Sequence, residues 1–194
     1  MFIDARGWAG EGGPLRADLC VIGAGAAGIT LARQLIGSNV DVVVLESGGF
    51  EEDPDTQDLY SGTGSGLPYF DLATARLRFF GGSTNHWGGT SRPQIDRDFQ
   101  VRPGIPLSGW PIERSDLAPY YDRASEICGL GRAVSQLDED EARDDRRPLP
   151  LDAADFETRF NGIVNHRDRS FARFRDELDA ATNVSVHLDR KSVV

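Results

Sequence analysis

Hydrophobic and polar positions fall into blocks that read as separate elements. Ala17-Asp18-Leu19-Cys20-Val21-Ile22 is a short apolar run halted at Gly23, the pattern of a buried parallel strand. From Gly25 to about Ile36 the composition favours helix. Ile29, Leu31, Ala32, Leu35 and Ile36 share a broad apolar face, and Gly37-Ser38-Asn39 ends the run. Val40 to Leu45 is a second apolar strand closing at Glu46. Strand, helix and strand within roughly thirty residues make a βαβ unit.

Later blocks are less regular. Residues 1–16 are polar and Gly-rich and read as a flexible arm. Ser47 to Pro68 is a long excursion rich in Gly, Asp, Ser and Pro, of the kind that usually serves function. Ser115 reads as an N-cap. Leu117, Tyr120, Tyr121, Ala124, Ile127 and Cys128 follow at helical spacing, and Gly129 stops them. Asp138 to Arg147 is nearly all charge and reads as a solvated loop. Ser170 to Ala181 is a second amphipathic helix, with Phe171, Phe174, Leu178 and Ala181 on one face. Asn183 to Leu188 alternates as a strand, which puts His187 on the solvent side. His166 falls in a polar turn, Asn165-His166-Arg167-Asp168.

Composition narrows the function classes. With 39% hydrophobic and 27% charged residues, the 194-residue chain can build a globular core. A net charge of −10 opposes nucleic acid and anionic lipid. Two distant cysteines make no disulfide framework, and a reducing, cytoplasmic setting is expected. No apolar run nears the roughly 20 residues of a membrane span, and no signal-peptide pattern opens the chain. No metal-ligand cluster stands out. Glycine is in excess, at 22 residues or about 11% against the usual ~7%.

The excess is concentrated. Gly23-Ala24-Gly25-Ala26-Ala27-Gly28 is G-x-G-x-x-G, set between strand and helix. In that setting Gly23 permits the tight turn, Gly25 lets a pyrophosphate approach the backbone, and Gly28 lets helix lie close on strand. Ala26 and Ala27 open the helix, whose first N–H groups attract phosphate. Glu46 lies 18 positions after Gly28, near the spacing at which an acidic side chain accepts from a ribose diol. Its charge opposes a 2′-phosphate, which argues against NADP. Ser47-Gly48-Gly49 are small enough to let a long ligand pass. The second cluster is Gly81-Gly82-Ser83-Thr84-Asn85-His86-Trp87-Gly88-Gly89. Gly81 and Gly82 permit close backbone approach, and Ser83 and Thr84 add short hydroxyl donors.

In order, Val21 to Gly28, Leu45 to Gly49 and Gly81 to Trp87 resemble the glucose–methanol–choline (GMC) oxidoreductases. Ser108-Gly109-Trp110-Pro111-Ile112 and Asp116-Leu117-Ala118-Pro119-Tyr120-Tyr121 also resemble segments of that family. The resemblance implies a Rossmann-like FAD/NAD(P)-binding α/β fold with a parallel sheet and part of an inserted helical and loop region. It implies FAD as cofactor and oxidation of a sugar or alcohol CH–OH group. It implies that Gly81 to Trp87 passes along the pyrophosphate and isoalloxazine. Choline- and pyranose-oxidising members carry a histidine at the place of His86, bonded covalently to the flavin, and His86-Trp87 is similar to the pyranose oxidase and fructose or gluconate dehydrogenase-like branch. His86 is accordingly the candidate for covalent attachment, with non-covalent contact as the alternative. Asn85 and Trp87 depart from many alcohol oxidases.

The family's catalytic histidine pair lies near its C-terminus and has no counterpart before Val194. The expectation is a partial FAD-binding domain over residues 17–194, inactive alone, with the substrate and catalytic part absent. A non-catalytic remnant, half of a two-chain enzyme and an NAD-dependent dehydrogenase are the other readings. An electron-transfer partner is open.

Overall fold

A computed structural model describes residues 1–7, 14–131, 150–152, 156, 159 and 161–189. Along the chain run β1 (Phe2–Asp4), β2 (Leu19–Ile22), α1 (Ala26–Gln34), β3 (Val42–Leu45), α2 (Pro54–Gln57), α3 (Leu72–Ala75), β4 (Thr90–Ser91), α4 (Asp96–Phe99), α5 (Arg114–Cys128), β5 (Gly162–Ile163), α6 (Arg175–Ala180) and β6 (Val184–Leu188). Two compact units result. One joins Met1–Trp87 to Ser170–Val194, and the other is Gly88–Arg169. The charged stretch 138–147 lies outside the described residues.

The first unit is a parallel four-stranded sheet in the order β1-β6-β3-β2. Its register aligns Val21 with Val44, Val44 with Val186 and Val186 with Phe2. Val21, Val44 and Val186 are all buried. On the sheet lies α1, which buries Ile29 and Ala32. The expected helix at 170–181 is a 3-10 turn, Phe171–Phe174, continuing into α6, and it buries Phe171, Leu178 and Ala181. The α/β parallel-sheet class expected from the βαβ pattern is the observed one.

Four expectations need correction. Residues 2–4 of the supposed arm form β1, an edge strand. Val186 donates to the Met1 carbonyl and Ala5 to the Leu188 carbonyl, both at 2.9 Å. Burial holds it: Phe2 packs against Phe50 and Phe80, at ring-centroid distances of 5.0 and 5.2 Å. At its end, hydrogen bonds from Arg6 pull the Asp4 carboxyl down to about 2. Secondly, β2 is parallel but lies at the other edge of the described sheet, so Cys20 and Ile22 are exposed, Ile22 at 78%. Leu31 is exposed too, so α1 has a narrower apolar face than its sequence offers. Thirdly, His187 is buried at 4% exposure, because β6 lies between two strands and is covered on both faces. His166 is exposed, as its turn suggested.

The fourth correction belongs to the second unit, where α5 begins one residue before Ser115. Its cap is Glu113, whose N–H is taken by the Asp116 carboxylate at 2.8 Å, a reciprocal capping box. Gly129 ends the helix at φ 75°, as expected. β4 and β5 pair as a short antiparallel ladder.

Candidate cofactor site

Both glycine clusters belong to the first unit up to Trp87, and hydrogen bonds join them. Gly23 turns the chain out of β2 at φ 97°, a left-handed conformation that favours glycine. Gly25 is the N-cap of α1 and brings no side chain to the first-turn N–H groups at Ala26, Ala27 and Gly28. No side chain caps those donors, the condition in which a helix N-terminus attracts an anion. The space around the two glycines differs. A Cβ on Gly25 would meet nothing within 4 Å, whereas one on Gly28 would stand 2.0 Å from the Gly23 carbonyl oxygen. Gly28 thus serves the close packing of helix on strand. Gly25 faces open space at the helix N-terminus, on the side a pyrophosphate would approach.

Glu46 closes β3 and is buried at 6% exposure. Its Oε2 accepts from the Ala24 N–H at 2.7 Å, and its Oε1 from the Gly48 N–H at 3.1 Å and the Ser47 hydroxyl at 3.3 Å. The carboxylate therefore staples the first turn to the loop after β3. A carboxylate offers about four acceptor sites, so it retains capacity for a ribose hydroxyl. Ser47 also accepts from Arg78 Nη1 at 3.2 Å, and Arg78 lies over the Tyr60 ring at 4.2 Å. Gly48 admits no side chain, since a Cβ would lie 2.0 Å from the Arg78 carbonyl oxygen. Nothing local in the sequence marks the approach of Arg78 and Tyr60 to residue 47.

The second cluster is a 3-10 turn, Gly82–Asn85, entered through Gly81 at φ 93° and Gly82 at φ 55°. Gly81 donates its N–H to the Ala24 carbonyl at 2.8 Å. A Cβ on Gly82 would come within 3.2 Å of the Gly25 Cα. Both backbone polar groups of Ala24 are thus engaged, its N–H by Glu46 and its carbonyl by Gly81. Ser83 is exposed, and its hydroxyl oxygen accepts from the Leu77 N–H at 3.2 Å. Thr84 and Asn85 differ from it. The Thr84 hydroxyl donates to the Gly81 carbonyl at 2.6 Å, and Asn85 Nδ2 donates to the Phe80 carbonyl at 3.0 Å. His86 follows the turn with its side chain exposed, and Trp87 is half-buried. Among the described residues no His, Cys, Asp and Glu side chains group to hold a metal, and no helix is long and apolar enough to cross a membrane.

The DAO family, FAD dependent oxidoreductase, matches residues 18–189. The chain belongs to this family. As an FAD dependent oxidoreductase it takes FAD, and the NAD-dependent reading gives way. Paromamine 6'-oxidase of Streptomyces fradiae is 32% identical over 134 residues, which are 58% of this chain and 24% of that protein. The 2-methyl-1,2-propanediol dehydrogenase of Mycolicibacterium austroafricanum is 29% identical over 144 residues, 60% of this chain and 25% of that one. The chain therefore spans about a quarter of the length of these curated relatives. A fungal aryl-alcohol oxidase structure shares the fold at a TM-score of 0.50 and 15% identity, covering 90% of this chain and 39% of its own.

Proposed function

We propose that this chain supplies the FAD-binding part of a GMC-type oxidoreductase that removes hydride from a sugar or alcohol CH–OH carbon. The carrying observation is the hydrogen bond from Gly81 to Ala24, which brings the second glycine turn against the first at an uncapped helix N-terminus. A dinucleotide with a reactive ring needs both a phosphate cradle and a second strip of backbone, and the two turns offer them side by side. The names of two relatives, an oxidase of paromamine and a dehydrogenase of a propanediol, support the CH–OH class.

In this reading Gly23, Gly25, Ala26, Ala27 and Gly28 cradle the pyrophosphate. Glu46 and Ser47 take the ribose. Gly81, Gly82, Ser83 and His86 line the flavin side, with Thr84, Asn85 and Trp87 in the same segment. When bound, FAD supplies hydride acceptance. The chain's own residues bind and orient it. No catalytic base is assigned to them, and the substrate-binding and catalytic part is placed in a longer or second polypeptide. The exposed imidazole of His86 stands free to approach a flavin ring edge, and we assign it as the point of covalent attachment.

Two readouts test the reading. The purified chain, incubated with FAD, is expected to quench flavin fluorescence, and NAD is expected not to compete. After acid precipitation, yellow flavin should stay with the wild-type pellet and leave that of His86→Ala. A chain that quenches no FAD overturns the function. Flavin released wholly to the acid supernatant overturns the covalent bond alone.

A further inference from the structure

We propose that the turn at Ser170 and Phe171 positions the second glycine turn for its cofactor, acting through Thr84 and Asn85. This rests on the functional reading above.

The case begins with the flexibility of the glycines. Gly81 and Gly82 both adopt left-handed backbone, which glycine reaches readily but leaves as readily. If FAD had to immobilise such a segment, ordering would weaken its binding. The structure orders it in advance. Ser170 donates its hydroxyl to Asn85 Oδ1, while Asn85 Nδ2 holds the Phe80 carbonyl at 3.0 Å. Phe171 donates its N–H to the Thr84 hydroxyl at 2.9 Å, and that hydroxyl holds the Gly81 carbonyl at 2.6 Å. Each side chain thus bridges the glycine turn on one side and the 170–171 turn on the other.

The bridge continues beyond the turn. Gly81 reaches Ala24, and Ala24 reaches Glu46. One hydrogen-bonded series therefore runs from the turn before α6, through both glycine clusters, to the end of β3. A Cβ added to Gly82 would stand 3.2 Å from the Gly25 Cα, so the two turns pass close enough that a side chain there would press one on the other. Thr84 and Asn85 are thereby positioning residues. Ser170, 85 residues beyond Asn85, belongs to the site with no motif to announce it.

Ser170 also accepts from the Ala172 N–H at 3.1 Å, as an N-cap. A purely structural role would therefore lower the melting temperature and leave affinity alone. FAD titration of the full chain by fluorescence quenching separates the two. Ser170→Ala and Asn85→Ala are each expected to raise the FAD Kd about tenfold, or about 1.4 kcal/mol. The double variant should lose no more than about twentyfold, because both substitutions break one bridge. Ser170→Thr, which keeps the hydroxyl, should return to within about threefold of wild type. Circular dichroism of each chain without FAD confirms that folded protein is titrated. If Ser170→Ala does not fold, Asn85→Ala and Ser170→Thr decide the matter. Wild-type affinity in the folded variants overturns the proposal, whatever their melting temperatures. So does a double variant weakened about a hundredfold, or a threonine variant as weak as the alanine one. A wild-type chain that takes up no FAD overturns the functional reading itself, and this inference with it.

Discussion

Gly25 and Gly28 stand three residues apart in one motif and answer to different constraints. Alanine at 28 would press a methyl group to 2.0 Å from a backbone oxygen, so α1 would have to lift from β2. Alanine at 25 would meet open space, at an ordinary extended φ of −85°. Gly28→Ala is expected to destabilise the chain without FAD by about 2–4 kcal/mol, through overpacking against backbone that cannot yield. Gly25→Ala should leave that stability within about 1 kcal/mol of wild type. Its new methyl group occupies the approach of the pyrophosphate, so its FAD affinity should fall at least tenfold. Urea melts and FAD titrations of both variants check the pair. Equal urea midpoints would refute the packing role of Gly28, and unchanged affinity in Gly25→Ala would refute the phosphate role. The packing role of Gly28 was legible in the sequence because the motif's spacing carries its own geometry. Thr84 and Asn85 were not. The sequence makes Thr84 a short hydroxyl donor and sets Asn85 beside it in the cofactor loop, but their partners at 170–171 lie too far along the chain for any local pattern to supply.

At the scale of elements, legibility follows local apolar density. The segments β2, α1 and β3 are dense in apolar residues and β6 alternates, and each formed near its expected bounds. The strand β1 has only three residues, Phe2-Ile3-Asp4, too few to show a period of two. Its order comes from tertiary pairing and from the Phe2–Phe50–Phe80 cluster, whose rings lie 5.0 to 5.8 Å apart. His187 misled for a related reason. Alternation on a strand implies a wet face only if the sheet leaves one, and an interior parallel strand does not. Pairing of β1 has a direct test in amide hydrogen exchange. The amides of Ala5 and Val186 are expected to exchange slowly, and Phe2→Ala should speed both by weakening the edge. An Ala5 amide that exchanges as fast as an unfolded peptide would restore the arm and remove the strand.

For the whole molecule, the division into two units gives the proposed cofactor site an address. Every proposed FAD contact lies in Met1–Trp87, and the positioning turn lies in the returning segment that opens at Ser170. The fold thus closes one unit from two stretches of chain, and the site's supports come from both. Ligand binding stabilises the state that binds. At FAD one hundred times its Kd, mass action adds about 2.7 kcal/mol to the unfolding free energy. If the contacts are the three turns proposed above, the local gain should fall unevenly. Amides of Gly23–Gly28, Glu46–Gly49 and Gly81–His86 are expected to gain more exchange protection on FAD binding than those of α5 in the other unit. The comparison is internal to one sample, so it does not depend on absolute rates. Greater protection in α5 than in these turns would move the cofactor out of the first unit, and with it the pyrophosphate role assigned to the G-x-G-x-x-G turn.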